Sequence, residues 1–160
     1  MKKGSTVFLQ IVVVLIGIGA FAFLLWEPTV EGANAHATLF RIYFDDPFLA
    51  IAYLVSIAFF VGLSRAYRLL GYIGQGKVFS PESLKALRTM RHCSMILVAA
   101  LAVGVTYLFA FQRGKDDIAG GVAMGLFLMF VFSAIAAAAG VFEKTLRSAI
   151  EMKSENDLTV

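Results

Sequence analysis

The sequence predicts an all-α integral membrane protein, a bundle of four transmembrane helices, and three observations carry that prediction. Hydrophobic residues make up 59% of the 160-residue chain and charged residues only 16%, against about 45–50% and about 25% in an ordinary soluble domain. The charged residues and histidines leave four long uncharged runs. Lys and Arg are shared unevenly among the segments that join those runs.

The runs are residues 4–26, 47–64, 93–112 and 118–142, with lengths of 23, 18, 20 and 25. At about 1.5 Å per residue, roughly 20 residues cross a hydrocarbon core of about 30 Å. One Asp, Lys or Arg at mid-membrane costs about 2.5–3.5 kcal/mol on insertion scales, so four clean runs do not arise by accident. With their helical extensions the expected spans are about 5–26, 47–70, 81–112 and 118–142, followed by a tail over 143–160. The whole chain, 1–160, forms one membrane domain. The longest polar segment, 65–92, has 28 residues, below the roughly 40 that usually suffice for an independent domain. That excludes a soluble enzyme head or a fused DNA-binding head.

Eleven cations fall on one side of the expected membrane: Lys2, Lys3, Arg65, Arg68, Lys77, Lys85, Arg88, Arg91, Lys144, Arg147 and Lys153. Three fall on the other: Arg41, Arg113 and Lys115. The positive-inside bias puts both termini of this multi-pass protein in the cytoplasm. The alternative, a cleaved signal peptide, has a Lys-Lys start and Ala-x-Ala patterns at Ala33–Ala35 and Ala35–Ala37. Its apolar stretch, 7–26, exceeds the roughly 7–15 residues of a signal core, and Trp26 sits where an interfacial anchor belongs. The first span is therefore expected to stay.

Helices in lipid associate where small residues let backbones approach. The fourth span offers Gly121, Gly125, Ser133 and Ala137 at multiples of four, the third Ala100 and Gly104, the second Ala52, Ser56, Ala58 and Gly62, the first Val13 and Gly17. These are expected to pack the helices within one molecule, antiparallel and joined by short loops. A homo-oligomer through the fourth span is the competing use of the same stripe.

In the segment before the third span, Gly71, Gly74 and Gly76 are expected to break the second helix. Ser80-Pro81 reads as an N-cap followed by Pro at the first helical position. From Glu82 an amphipathic lead-in helix runs into the span. Leu84, Leu87 and Arg91 lie at i, i+3 and i+7, with Lys85, Arg88 and His92 on the neighbouring face. Lys85, Arg88 and Arg91 are the candidate contacts for anionic lipid or an acidic partner, at about 1 kcal/mol per charge near a membrane surface. Fixing the topology is the plainer explanation of the same residues.

Other chemistry finds little support. Cys93 is the single cysteine, so no internal disulfide forms. His92-Cys93 has no further ligand at hand, since His36 lies across the membrane, and a zinc site needs three or four. Glu27, Glu31, Asp45 and Asp46 around His36 resemble an ordinary solvated loop more than the roughly six oxygens of a hard-cation site. The uncharged interiors of the spans hold polar residues (Gln10, Tyr53, Ser56, Ser94, Thr106, Tyr107, Ser133) but no Asp, Glu, Lys, Arg or His. Such groups mark proton relays and ion routes. A small multidrug-type proton-coupled transporter would need an intramembrane acid, and a four-helix thiol oxidoreductase would need paired cysteines. No catalytic residue, metal, cofactor or direct nucleic-acid contact is expected.

The stretch Gly71-Tyr72-Ile73-Gly74-Gln75-Gly76-Lys77-Val78-Phe79-Ser80, then Leu84, Leu87 and Arg88, resembles the bacterial membrane family called domain of unknown function 2975. Asp46-Pro47 before the second span belongs to the same pattern, and the resemblance runs from about Arg41 onward. It implies four spans and no assigned activity. Since some members are encoded beside small helix-turn-helix repressors, it also implies a regulatory partner at the membrane. The expected function is that of a non-enzymatic multi-pass protein acting through partner or anionic-lipid contact at the cytoplasmic face. A small transporter or channel subunit that forms a pore on oligomerisation is the alternative, and an enzyme with a lipid substrate ranks last.

Overall fold

The computed structural model describes residues 3–30, 47–112 and 118–157, with side chains over 4–26, 52–110 and 118–155. Four helices, each long and apolar enough to cross a membrane, make up the described chain. They are α1 (Lys3–Val30), α2 (Pro47–Gly74), α3 (Pro81–Tyr107) and α4 (Ala119–Asp157). A π-helical turn, Leu108–Gln112, continues α3. No β-strand occurs among the described residues. Neighbours in sequence pack side by side and antiparallel, α3 with α4 most extensively and α1 chiefly with α2. The start of α1, the end of α2, the start of α3 and the end of α4 therefore share one end of the molecule, called the basic end below.

Local chemistry sets the helix ends. Ser80 is the N-cap of α3, its hydroxyl accepting from the Ser83 amide at 3.2 Å, with Pro81 in the first turn. The Ser83 hydroxyl donates to the Lys77 carbonyl at 3.0 Å, tying the loop to the helix it precedes. At the end of α2 the Lys77 amide reaches the Tyr72 carbonyl at 2.9 Å and the Gly76 amide the Ile73 carbonyl at 3.1 Å. With Gly76 at φ +73° this is a Schellman cap. Gly76 alone ends α2, contrary to the expectation for three glycines. Gly71 and Gly74 stay helical because α1 crosses over them. A Cβ on Gly74 would meet Thr6 at 3.2 Å, and one on Gly71 would meet Gln10 Nε2 at 3.3 Å. Gln10 also donates to the Tyr67 carbonyl at 3.3 Å.

Several polar groups inside the spans are bonded to backbone carbonyls. Pro28, in the last turn of α1, has no amide for the Leu24 carbonyl one turn earlier, and the Tyr53 hydroxyl of α2 donates to that carbonyl at 2.7 Å. Ser56 donates to the Tyr53 carbonyl and Thr106 to that of Ala102, each at 2.7 Å, as hydroxyls in membrane helices do when they bond back one turn.

The close face of α4 departs from the expected stripe. Gly125, Ala139 and Leu146 are buried, at spacings of seven and fourteen, and Phe132 between them meets Phe59 of α2 edge-to-face at 6.2 Å. Ser133 and Ala137 are exposed. The reason is angular: steps of four advance 400° and drift by 40° each, whereas steps of seven return to within about 20° of the same side. Gly125 does sit at a close approach, since a Cβ there would fall 2.5 Å from Val105 of α3, and one on Gly121 would touch Leu108 at 3.4 Å. Gly104 has nothing within 4 Å. Together with Ala100 and Gly121 it lines a cleft.

Candidate functional site

At the basic end the helices run on beyond the uncharged stretches. Residues 143–157 of α4 carry it about 22 Å past Phe142, and residues 81–92 form the lead-in turns of α3. Leu87, Ala139 and Leu146 are buried together here, with Leu69, Val78, Leu84 and Ile150 packed around them. The overhang thus has a small aliphatic core, drawn from the end of α2, the loop, α3 and α4.

Glu143 closes this core at the level where the uncharged run of α4 ends. Its Oε1 accepts from Arg88 Nε at 3.0 Å and its Oε2 from Arg91 Nη1 at 3.5 Å. The carboxylate is 12% exposed, while the two guanidinium side chains are 46% and 43% exposed. The Arg88 hydrogen bond holds the Glu143 carboxyl below the usual carboxylate range, against the opposite pull of burial, with Arg91 adding to it. The stem of Arg91 lies across Gly140, 3.6 Å from where a Cβ would stand. A side chain at 140 would push it away.

Of the three cations singled out from the sequence, two therefore serve an internal bridge between α3 and α4. Arg88 and Arg91 thus have a structural use of their own, while both side chains stay partly exposed. Lys85 is exposed. Together with Pro81, Leu84, Arg88, Thr89 and His92 it lines an open groove of about 470 Å3 along α3. The His92 ring presents Nδ1 to the Arg88 carbonyl at 2.7 Å. A carbonyl only accepts, so Nδ1 carries the hydrogen. Lys144, Arg147 and Lys153 are exposed on the overhanging part of α4.

Glu143 escaped the sequence reading, which assigned it to the tail. Its signal was that it is the first charge after the fourth span, opposite the Arg pair before the third in an antiparallel hairpin. Among the described residues no three His, Cys, Asp or Glu side chains come together as metal ligands. Of the loop residues considered for a cation, Glu31, His36, Asp45 and Asp46 lie outside the described residues, as do Arg41, Arg113 and Lys115, and Glu27 is described only in its backbone.

The profile of the family "Protein of unknown function (DUF2975)" matches residues 30–160. The "Uncharacterized membrane protein YoaS" of Bacillus subtilis (strain 168) is 38% identical over 163 residues, covering 100% of this chain and 100% of that protein. No solved structure matches.

Proposed function

The chain belongs to the DUF2975 family of membrane proteins, and we propose that it is a non-catalytic docking protein of the bacterial inner membrane whose cytoplasmic overhang holds a soluble partner with an acidic surface. The orientation is part of the proposal: it puts the eleven-cation side in the cytoplasm.

One observation carries the reading. The overhang of α3 and α4 has its own aliphatic core and its own ion bridge, neither of which a bilayer-crossing helix pair needs. What it exposes carries an excess of cations, Lys85, Arg88, Lys144, Arg147 and Lys153 against Glu82, Glu151 and Glu155. Lys85 stands eight residues before Cys93, about 12 Å along the axis, and Lys153 eleven residues past Phe142, about 16 Å. The polar layer of a bilayer is only about 5–8 Å deep on each side. These cations therefore stand clear of the headgroups, at a height suited to a soluble protein. The family resemblance makes a helix-turn-helix regulator the first partner to try.

The test uses the complete protein in phosphatidylcholine nanodiscs, with capture of the regulator or another purified cytoplasmic candidate across a salt series. Replacing Lys85, Arg147 and Lys153 by Gln leaves eight cations against three, so insertion is retained. Exposed ion pairs at about 0.2–1 kcal/mol each predict a loss of roughly threefold to a hundredfold in affinity, largest at low salt. Equal capture by the triple variant sinks the proposal. So does binding seen only with vesicles containing phosphatidylglycerol and with no protein, which would make the surface a lipid sensor.

A further inference from the structure

At the end opposite the basic one, a cleft of about 320 Å3 opens between α2, α3 and α4. Ala52, Val55, Ala100, Gly104, Leu108 and Gly121 are among its walls. All six belong to the uncharged runs 47–64, 93–112 and 118–142, so the medium at its mouth is hydrocarbon. From Ala100 to Leu108 it follows α3 for about 12 Å. Its volume over that length gives a cross-section of about 27 Å2. It is a long, narrow slot.

We infer that this slot is a binding site for one acyl chain of a membrane phospholipid. Its shape is made by missing side chains, since a Cβ on Gly104 would meet nothing within 4 Å. An unfilled slot would cost its lining the dispersion contacts that filling restores. Water is a poor filler, because Tyr107 is, among the described residues, the one in the lining with a polar side chain, and a cavity so nearly apolar offers too few partners to hold it. A second copy of the chain would have to bring a projecting side chain of its own patch into the slot, since a two-fold contact pairs residue i with residue j. An acyl chain has the right section, is present at this depth, and touches three helices here where an exposed face offers one. At Leu108, where α3 passes into π-helical pairing, the slot reaches the kind of local irregularity that often accompanies binding sites.

The experiment reconstitutes the full chain with phosphatidylcholine bearing a photoreactive diazirine in one acyl chain, at increasing label against unlabelled lipid. Labelling is expected to concentrate on residues 100–108 and 121–125 and to saturate. Gly104→Leu fills the slot and is expected to lower that labelling at least tenfold with an unchanged or higher melting temperature. Gly121→Val, whose Cβ meets only Leu108 at 3.4 Å, is the second filling variant should the first fail to fold. Leu54→Phe, at a position 73% exposed, is expected to leave the labelling as it was. Labelling at the slot no greater than on the exposed face of α1, or undiminished in a folded filling variant, overturns the inference. So does efficient disulfide coupling between two Gly104→Cys chains, which would show a second copy in the slot.

Discussion

The two ends of the α3–α4 pair are held in different ways. At the basic end Leu87, Ala139 and Leu146 are buried among branched aliphatic neighbours, and Glu143 is clasped by Arg88 and Arg91. Toward the far end the same helices touch through Gly125 against Val105 and then part around the slot lined by Gly104 and Gly121. Solvent accounts for the difference. Leu146, Ile150, Leu84 and Val78 lie outside the uncharged runs, where water drives apolar surface together. Gly104 and Gly121 lie inside them, where the surroundings are as apolar as a leucine and nothing forces side chains to fill the gap.

The sharpest way to break this comparison is to delete the same atoms at both ends. Leu146→Ala removes a side chain 6% exposed from a core that faces water, so it is expected to cost about 2–5 kcal/mol. For a chain of this size that is a fall of roughly 4–20 °C in melting temperature. Leu108→Ala merely widens a slot already open to hydrocarbon, and less than about 1 kcal/mol is expected. Thermal melts of the two variants in the same detergent decide it. Equal losses would mean that the basic end owes nothing to water.

Much of this contrast was legible from residue types, and some of it was not. The four spans and the shared end of the termini follow from where charges fall, because lipid penalises each of them singly. Ser80-Pro81 announced the start of α3, since a cap is local chemistry. Ser133 falls outside the close face of α4 because steps of four drift around the helix, while burial follows the side that meets the neighbouring helix. Gly71 and Gly74 looked like breakers until α1 was seen to cross over them. The use of Tyr53 is not legible in its own helix, because the Leu24 carbonyl that it serves is left without an amide by Pro28 of α1. Each of these depends on a second helix.

A middling effect is expected from Glu143→Gln. The change keeps the size of the side chain and removes the charge that Arg88 and Arg91 share. Hydrogen bonds to charged groups are worth about 1.5–3 kcal/mol, and a loss in the lower part of that range is expected because both guanidinium groups remain half in water. The pH dependence has a definite sign. Because the folded carboxyl titrates below its unfolded value, the unfolded chain binds the extra proton first. The contribution of Glu143 is therefore complete above the ordinary Glu range near pH 4.3, and it is lost as pH falls through that range toward the folded pKa. Melts taken from pH 7 down to pH 3 are expected to show wild type and variant converging. A gap that stays constant to the lowest pH would take the ion bridge out of the account.

The smallest effect is expected from Lys85→Gln, which separates a cation exposed at the surface from one tied into the fold three residues away. Lys85 is exposed, and its carbonyl, which accepts from the Thr89 hydroxyl at 2.9 Å, is untouched by the substitution. A surface change of this kind stays within about 0.5 kcal/mol. Ten cations against three remain to set the orientation, so a cysteine introduced at Ala33 is expected to label from the same side as in the parent chain. Arg88→Gln removes the same charge but also the 3.0 Å bond to Glu143, leaving that mostly buried carboxylate with only the longer contact to Arg91. It is expected to lower the melting temperature measurably where Lys85→Gln does not, with orientation again unchanged. If the two variants melt together, the bridge contributes nothing beyond charge count, and the basic end would be a signal for topology with no architecture of its own.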